Sequence, residues 1–172
     1  RVRAGSLLAV RLRRSVTSLL GLDVGEKRIG VALAEAGGRA IPLTTLRRDA
    51  DPVRDGRALA ELVIRHRIDE VVVGLPLDMS GGEGSQAART RQWVEAVRPA
   101  LIAPVRYRDE RLSSHLAEQR LGPMKRGRSG GPPTRAQRDA WRARIDREAA
   151  AIILQDELDA RATAHGPHTE TR

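Results

Sequence analysis

The residues of this chain best placed to do chemistry are carboxylates at the ends of apolar runs. Asp23 closes the run Leu19–Leu22, Gly25 breaks the strand at once, and Ile29–Leu33 returns as a second strand. Strand, acid, glycine turn, the basic pair Lys27 and Arg28, and strand again predict a hairpin with one negative charge in an apolar frame. Burying that charge bare costs several kcal/mol, so it must be paired, hydrated or bound to a metal ion. Gly25 is the residue expected to clear space beside it. Asp109 and Glu110 follow another short strand, Val105–Arg108. Asp146 lies in a long helical stretch whose i+4 and i+7 positions are Ala150 and Ile153, a stripe that turns the acid towards the sheet. The run Ala149–Ala151 would let that helix come close to the strands. Carboxylates from two strand ends and one helix, brought to one sheet edge, make an oxygen-only site suited to Mg²⁺ or Mn²⁺. Two such ions about 4 Å apart can activate a water and stabilise the leaving oxygen of a phosphodiester. Plainer roles stand beside this one. Asp23 can serve as a turn residue, Asp109 or Glu110 can pair with Arg108 or Arg111, and Asp146 can pair with Arg142.

The elements that must position these acids follow from periodicity and breakers. After the hairpin and the Gly37–Gly38 turn, residues 40–46 supply a third strand. Residues 52–67 read as a helix with Val53, Leu59, Leu62 and Val63 on one side. The β-branched run 71–75 predicts a strand covered on both faces. A Gly-rich loop over 78–85 leads into a helix to about Val97, and 112–121 is helical. Residues 122–133 are a basic Gly- and Pro-rich loop, and a long helix from about Thr134 to Ala160 closes the domain. A hairpin followed by strand–helix–strand units indicates a mixed α/β sheet with helices on its faces. Residues 1–17 form a basic, flexible extension, residues 18–162 a single domain, and residues 163–172 a disordered tail.

Charge narrows the partner. The net charge is +9, and it is concentrated. The first 14 residues hold five Arg and no acid, and residues 120–147 hold nine basic residues against Asp139 and Asp146. Two basic arms on a near-neutral body point to a polyanion, most simply nucleic acid. With no Phe and one Tyr, contacts to phosphate or shape should outweigh stacking. The absence of cysteine removes thiol catalysis, thiolate metal sites and disulfides, and is compatible with the cytoplasm. No run approaches the roughly 18 apolar residues of a membrane helix, and the apolar run 7–10 is too short for a secretory signal. The loop Ser80–Ser85 offers backbone N–H groups to a phosphate but lacks the Lys and Ser/Thr of a P-loop. The four His residues show no metal-ligand spacing, and His115 reads as a solvent-facing helix residue.

Four ordered motifs carry a resemblance. They are the hairpin segment 20–32, the stretch 72–77 with Gly82-Glu-Gly-Ser85, Asp109-Glu-Arg-Leu-Ser113, and Asp146 followed by Ala149-Ala150 and Ile153-Leu-Gln155. Together they resemble the YqgF/RuvX family of Holliday junction resolvase-like proteins, mostly described as pre-16S rRNA nucleases. The resemblance spans roughly residues 19–160. It implies an RNase H-like fold, with a mixed five-stranded sheet opening on an antiparallel hairpin and helices on both faces. It also implies a metal-dependent endonuclease acting on structured nucleic acid, with pre-ribosomal particles or junction DNA as partners. Asp23, Glu110 and Asp146 match the family's acidic site, which would hold Mg²⁺ or Mn²⁺, with Asp109 as a further candidate ligand. Lys27, Arg28, Arg111, Lys125, Arg126 and Arg128 are the candidate nucleic-acid contacts. The chain departs from the family at Leu33-Ala-Glu35, where Ser-Asp is common, at Ser113-Ser114 in place of Thr-Thr, and by an insertion around Ser129–Pro133. Two other classes compete: a nucleic-acid-binding factor without turnover, and an actin-like ATPase, which needs two such domains and about twice the length. Either a monomer or a homodimer is compatible with the sequence.

Overall fold

A computed structural model of the protein describes residues 17–35, 37–78, 81–110, 112–124 and 131–164. The expected basic extension, most of the tail and the centre of the 122–133 loop lie outside those residues. Strands β1 (Leu19–Val24), β2 (Arg28–Ala34) and β3 (Ile41–Arg47) form an antiparallel meander. They are followed by α1 (Pro52–Arg65), β4 (Glu70–Pro76), α2 (Ser85–Val97), β5 (Val105–Glu110), α3 (Ser113–Leu121) and α4 (Arg135–Ala164). Strands β4 and β5 add in parallel, giving one five-stranded sheet of order β3-β2-β1-β4-β5. This is the mixed five-stranded arrangement, opening on an antiparallel hairpin, expected from the sequence. Helix α4 runs to Ala164, four residues beyond its expected end.

Strand alternation splits the core between the two faces. On one face Leu20, Leu22, Val24, Ile29, Val31, Val71 and Val73 pack with Leu59 and Val63 of α1 and Trp93 and Val94 of α2. Asp51 caps α1 by accepting from the Val53 N–H at 3.0 Å, with Pro52 in the first turn. Val53 itself is about half exposed, and the buried side of α1 is instead Asp55, Gly56, Leu59, Leu62 and Val63. A residue in the first turn can be drawn to the capping loop, so helical period alone misplaces it. Asp55 is buried because it accepts from the Trp93 indole N–H and the Asp49 N–H, both at 2.9 Å, which ties α1 to α2.

The other face is built on small residues. Leu19, Ala32, Ala34 and Val72 meet Ala150, Ala151, Ile153 and Leu154 of α4. Each of the three central strands also presents a glycine to that helix. A Cβ on Gly21 would lie 2.7 Å from the Leu154 Cβ, one on Gly30 would lie 1.9 Å from the Asp146 carbonyl oxygen, and one on Gly74 would lie 2.6 Å from Ile153 Cδ1. Helix α4 therefore rests almost on the sheet backbone. Its far end is fastened by charge: buried Glu157 engages Arg106, Arg108 and Arg161, and Glu70 engages Arg106 and Arg161. Helix α3 packs alongside through Ala117, Ile145, Ala149 and Ile152, with Leu121 and Trp141 at the margin.

The glycine contacts make a direct prediction. Gly30→Ala must push α4 off the sheet, at a cost of about 1–3 kcal/mol or more. Gly84→Ala, with nothing within 4 Å of the added carbon, should cost no more than the roughly 1 kcal/mol of a weakened α2 cap. Urea denaturation of the two variants measures the difference, and equal midpoints would contradict the close approach.

Candidate active site

The hairpin places Asp23 at the last turnward position of β1 that faces α4. Gly25 donates its N–H to the Arg28 carbonyl at 2.9 Å and closes the turn. It is not the residue that makes room for the acid. Asp23 pairs in register with Gly30 of β2 on one side. On the other side Leu22 pairs with Val73, so Gly74 of β4 comes next to it. The bare backbone at Gly30 admits Asp146 on α4, and the bare backbone at Gly74 admits Glu110, whose Oε2 lies 2.8 Å from where a Cβ would stand. A central acid flanked by two glycines is the local design of the site. The parity of these glycines along their strands was the signal available in the sequence.

The electrostatics follow from that packing. Burial, together with the negative charges of Glu110 and Asp146, pushes the Asp23 carboxyl up to about 8. Burial also raises Glu110, opposed by a hydrogen bond donated by the Ser113 hydroxyl. Ser113 is buried at the start of α3, so the turn from β5 into α3 supplies the group that orients Glu110. In the sequence Ser113 stands out as the end of the Asp109-Glu-Arg-Leu-Ser113 motif, but nothing there shows that its hydroxyl is aimed back at Glu110. Asp146 is part-buried and ion-paired with the Arg28 guanidinium, not with Arg142. Arg28 faces α4 as the first residue of β2, two positions before Gly30.

Asp23, Glu110 and Asp146 are thus drawn to one patch, as expected. Asp109 is exposed and takes the alternate position to Glu110 at the end of β5, although both acids line the cavity beside the patch. Lys27 is exposed at the tip of the turn beside Arg28. Arg111, Lys125, Arg126 and Arg128 fall outside the residues described in full. His115 is exposed and bonds Gln119 at 3.0 Å. In the Gly-rich loop, the Asp78 carboxylate already accepts from the Gly82 N–H at 2.7 Å, and Glu83 is paired with Arg91. Among the described residues of the loop, the Gly81 and Gly82 N–H groups are thus both spent on Asp78 rather than left for a phosphate.

In donor type and charge, three carboxylates against one guanidinium suit a divalent cation. In arrangement they do not yet enclose one: among the described residues no three acidic or histidine side chains converge tightly enough to hold an ion. Arg28 stands in the place of a positive charge at Asp146. Beside the patch, a cavity of about 250 Å³ opens between β5, α3 and α4, lined in part by Glu110, Ser113, Ile153 and Asp156.

The raised Asp23 carries a sign that can be worked out. Its carboxyl titrates near 8 in the folded chain against an ordinary 3.8, so between those values the unfolded chain has released a proton that the folded chain retains. Stability contributed by protonated Asp23 is full below about pH 4, falls as pH rises, and is gone above about pH 8. In EDTA, the wild type should lose stability over that window and Asp23→Asn should lose markedly less. Parallel pH profiles by chemical denaturation would contradict the assignment.

Comparison with known proteins gives a consistent family. The profile described as "RuvX: Holliday junction resolvase" matches residues 17–160. A protein of Chloroflexus aggregans, named as a candidate pre-16S rRNA nuclease, is 45% identical over 145 residues, covering 84% of this chain and 94% of its own length. Similarly named proteins of Roseiflexus sp. and Anaeromyxobacter sp. are 40% and 41% identical, over 82% and 83% of this chain and 93% and 97% of theirs. Among solved structures, Thermus thermophilus RuvC in complex with a Holliday junction substrate has a TM-score of 0.47 at 18% identity, covering 84% of this chain and 95% of that one. The fowlpox virus Holliday junction resolvase has a TM-score of 0.44 at 11% identity, over 84% and 99%. With the profile spanning the whole sheet and all but the last four residues of α4, and relatives at 40–45% identity covered over more than nine-tenths of their length, this chain belongs to the RuvX family.

Proposed function

We propose that this chain is a metal-dependent endonuclease that hydrolyses phosphodiesters in structured nucleic acid. Its substrate on this reading is the 5′ end of pre-16S rRNA, within pre-ribosomal particles in the cytoplasm. The observation that carries the reading is Asp23, an acid flanked by two glycines and pressed between two further carboxylates. A fold gains nothing from such repulsion unless a cation relieves it. The names of the relatives supply the substrate class.

On this reading Asp23, Glu110 and Asp146 hold Mg²⁺ or Mn²⁺, with Asp23 central. A bound divalent ion supplies an activated water and neutralises charge on the leaving oxygen. The chain's own residues do the rest. Ser113 fixes the Glu110 rotamer by its hydrogen bond. Arg28 leaves Asp146 for the scissile or neighbouring phosphate, and exposed Lys27 meets the same strand. Asp109 acts as a support rather than a ligand. Residues 18–162 form the catalytic unit, and the basic arm 1–17 with Arg111, Lys125, Arg126 and Arg128 grips the flanking backbone.

A second reading, cleavage of four-way DNA junctions, is favoured by the description of the family and would call for a two-fold dimer. Assays of a pre-rRNA 5′ end and a four-way junction, each with Mg²⁺ and with Mn²⁺, separate the two. On the preferred substrate Asp23→Asn should lose at least a hundredfold in rate while its affinity in EDTA stays within a few-fold. Undiminished turnover by Asp23→Asn would remove the mechanism. Binding without any product in either metal would leave a factor that acts without turnover. Arg28→Ala should tighten divalent-ion binding, measured by calorimetry, while slowing cleavage. Weaker ion binding in that variant would contradict the role given to the Arg28–Asp146 pair.

A further inference from the structure

The two tryptophans of this chain are used differently. Trp93 is buried and its indole N–H is spent on Asp55. Trp141 is only half-buried on the first turns of α4, packed by one edge on the α3–α4 contact. Its remaining surface borders a groove of about 570 Å³ between α3 and α4, walled by His115, Glu118, Gln119 and Met124. The groove is shallow, and its lining includes the indole of Trp141 and the thioether of Met124. The rim offers an imidazole and a carboxamide that bond each other at 3.0 Å.

The surroundings decide what such a groove would receive. Arg138, Arg142 and Arg144 are exposed on the same stretch of α4, and the Arg144 guanidinium carbon lies 5.7 Å from the centre of the Trp141 ring. Glu118 is the one acid on the wall. An indole with one guanidinium over its ring and two more on the same stretch of helix matches an unpaired nucleotide, whose base stacks while its phosphates are neutralised alongside. An apolar protein segment would gain nothing from that charge. We infer that the α3–α4 groove binds one unpaired base of the nucleic acid, with Trp141 as its stacking platform. His115 and Gln119 meet the edge of that base. The choice of nucleic acid as occupant rests on the nuclease reading, but the binding itself needs no turnover.

The site also has a position relative to the acids. Trp141 precedes Asp146 by five residues, about 7.5 Å along the helix axis. Five residues also turn the helix by about 140°, so the base held by Trp141 lies on a different side of α4 from Asp146, in nucleic acid that flanks the point of cleavage. A substrate with an unpaired nucleotide near the cut is preferred over continuous duplex.

The test uses the full chain in EDTA with hairpins carrying single-stranded tails, in RNA and DNA versions, and an abasic nucleotide walked along the tail. Wild type should bind roughly tenfold more weakly when one particular position is abasic. Trp141→Leu, checked for folding by thermal denaturation, should bind every tail alike, and Trp141→Phe should keep most of the discrimination. Indifference of the wild type to every abasic position overturns the inference, as does unchanged discrimination in Trp141→Leu. So does a change of oligomeric state in Trp141→Leu with discrimination intact, which would mark the groove as a contact between copies. Metal-dependent cleavage of the same hairpins by wild type and Asp23→Asn judges the nuclease reading separately.

Discussion

The close approach of α4 to the sheet is the constraint on which the rest depends. A helix laid on a sheet ordinarily stands off by the length of the side chains between them. Here Gly21, Gly30 and Gly74 remove those side chains on three adjacent strands, and Ala150 and Ala151 answer from the helix. The gain in dispersion contact is spread over the length of the interface. The consequence for the site is local. At the end where the strands give out, the same closeness brings a helix acid and a strand-end acid to the flanks of Asp23.

That geometry sets packing against electrostatics. Three carboxylates on one patch repel, and the folded chain answers in the ways open to it without an ion. Asp23 holds its proton, Ser113 donates to Glu110, and Arg28 turns onto Asp146. Each answer is local and reversible. The arrangement is therefore tense rather than inert, and the stability that α4 gains through its glycine seat and the Glu157 ion pairs offsets the repulsion at its other end. A site built for binding charge commonly costs its fold something.

Much of this was legible in the residues and some was not. Asp23 and Glu110 could be read because each closes a strand, and Asp146 because it shares a helical stripe with Ala150 and Ile153. The mixed character of the sheet followed from the hairpin and the strand–helix–strand units. The pairing of Arg28 with Asp146 was out of reach, since it joins residues 118 positions apart and nothing local announces it. Gly25 drew attention because it sits next to the acid in sequence, whereas space is made by Gly30 and Gly74, its neighbours across the strands. Asp109 was grouped with Glu110 by adjacency, and although the two alternate along β5 they line one cavity. Adjacency in sequence misled wherever adjacency in the sheet was what mattered.

The charged fastening of α4 to β5 has a further consequence at the rim of the sheet. Strands β3 and β5 are the two edges, and an open edge invites a strand from another molecule. Strand β5 turns Arg106, Arg108 and Glu110 towards α4, so a strand added there would have to lie against a row of ionised groups. Strand β3 carries Pro42, which has no N–H to offer a partner. Both borders thus resist continuation of the sheet from one molecule into the next. Crowding many copies of this chain together should favour neither fibres nor strand-exchanged pairs.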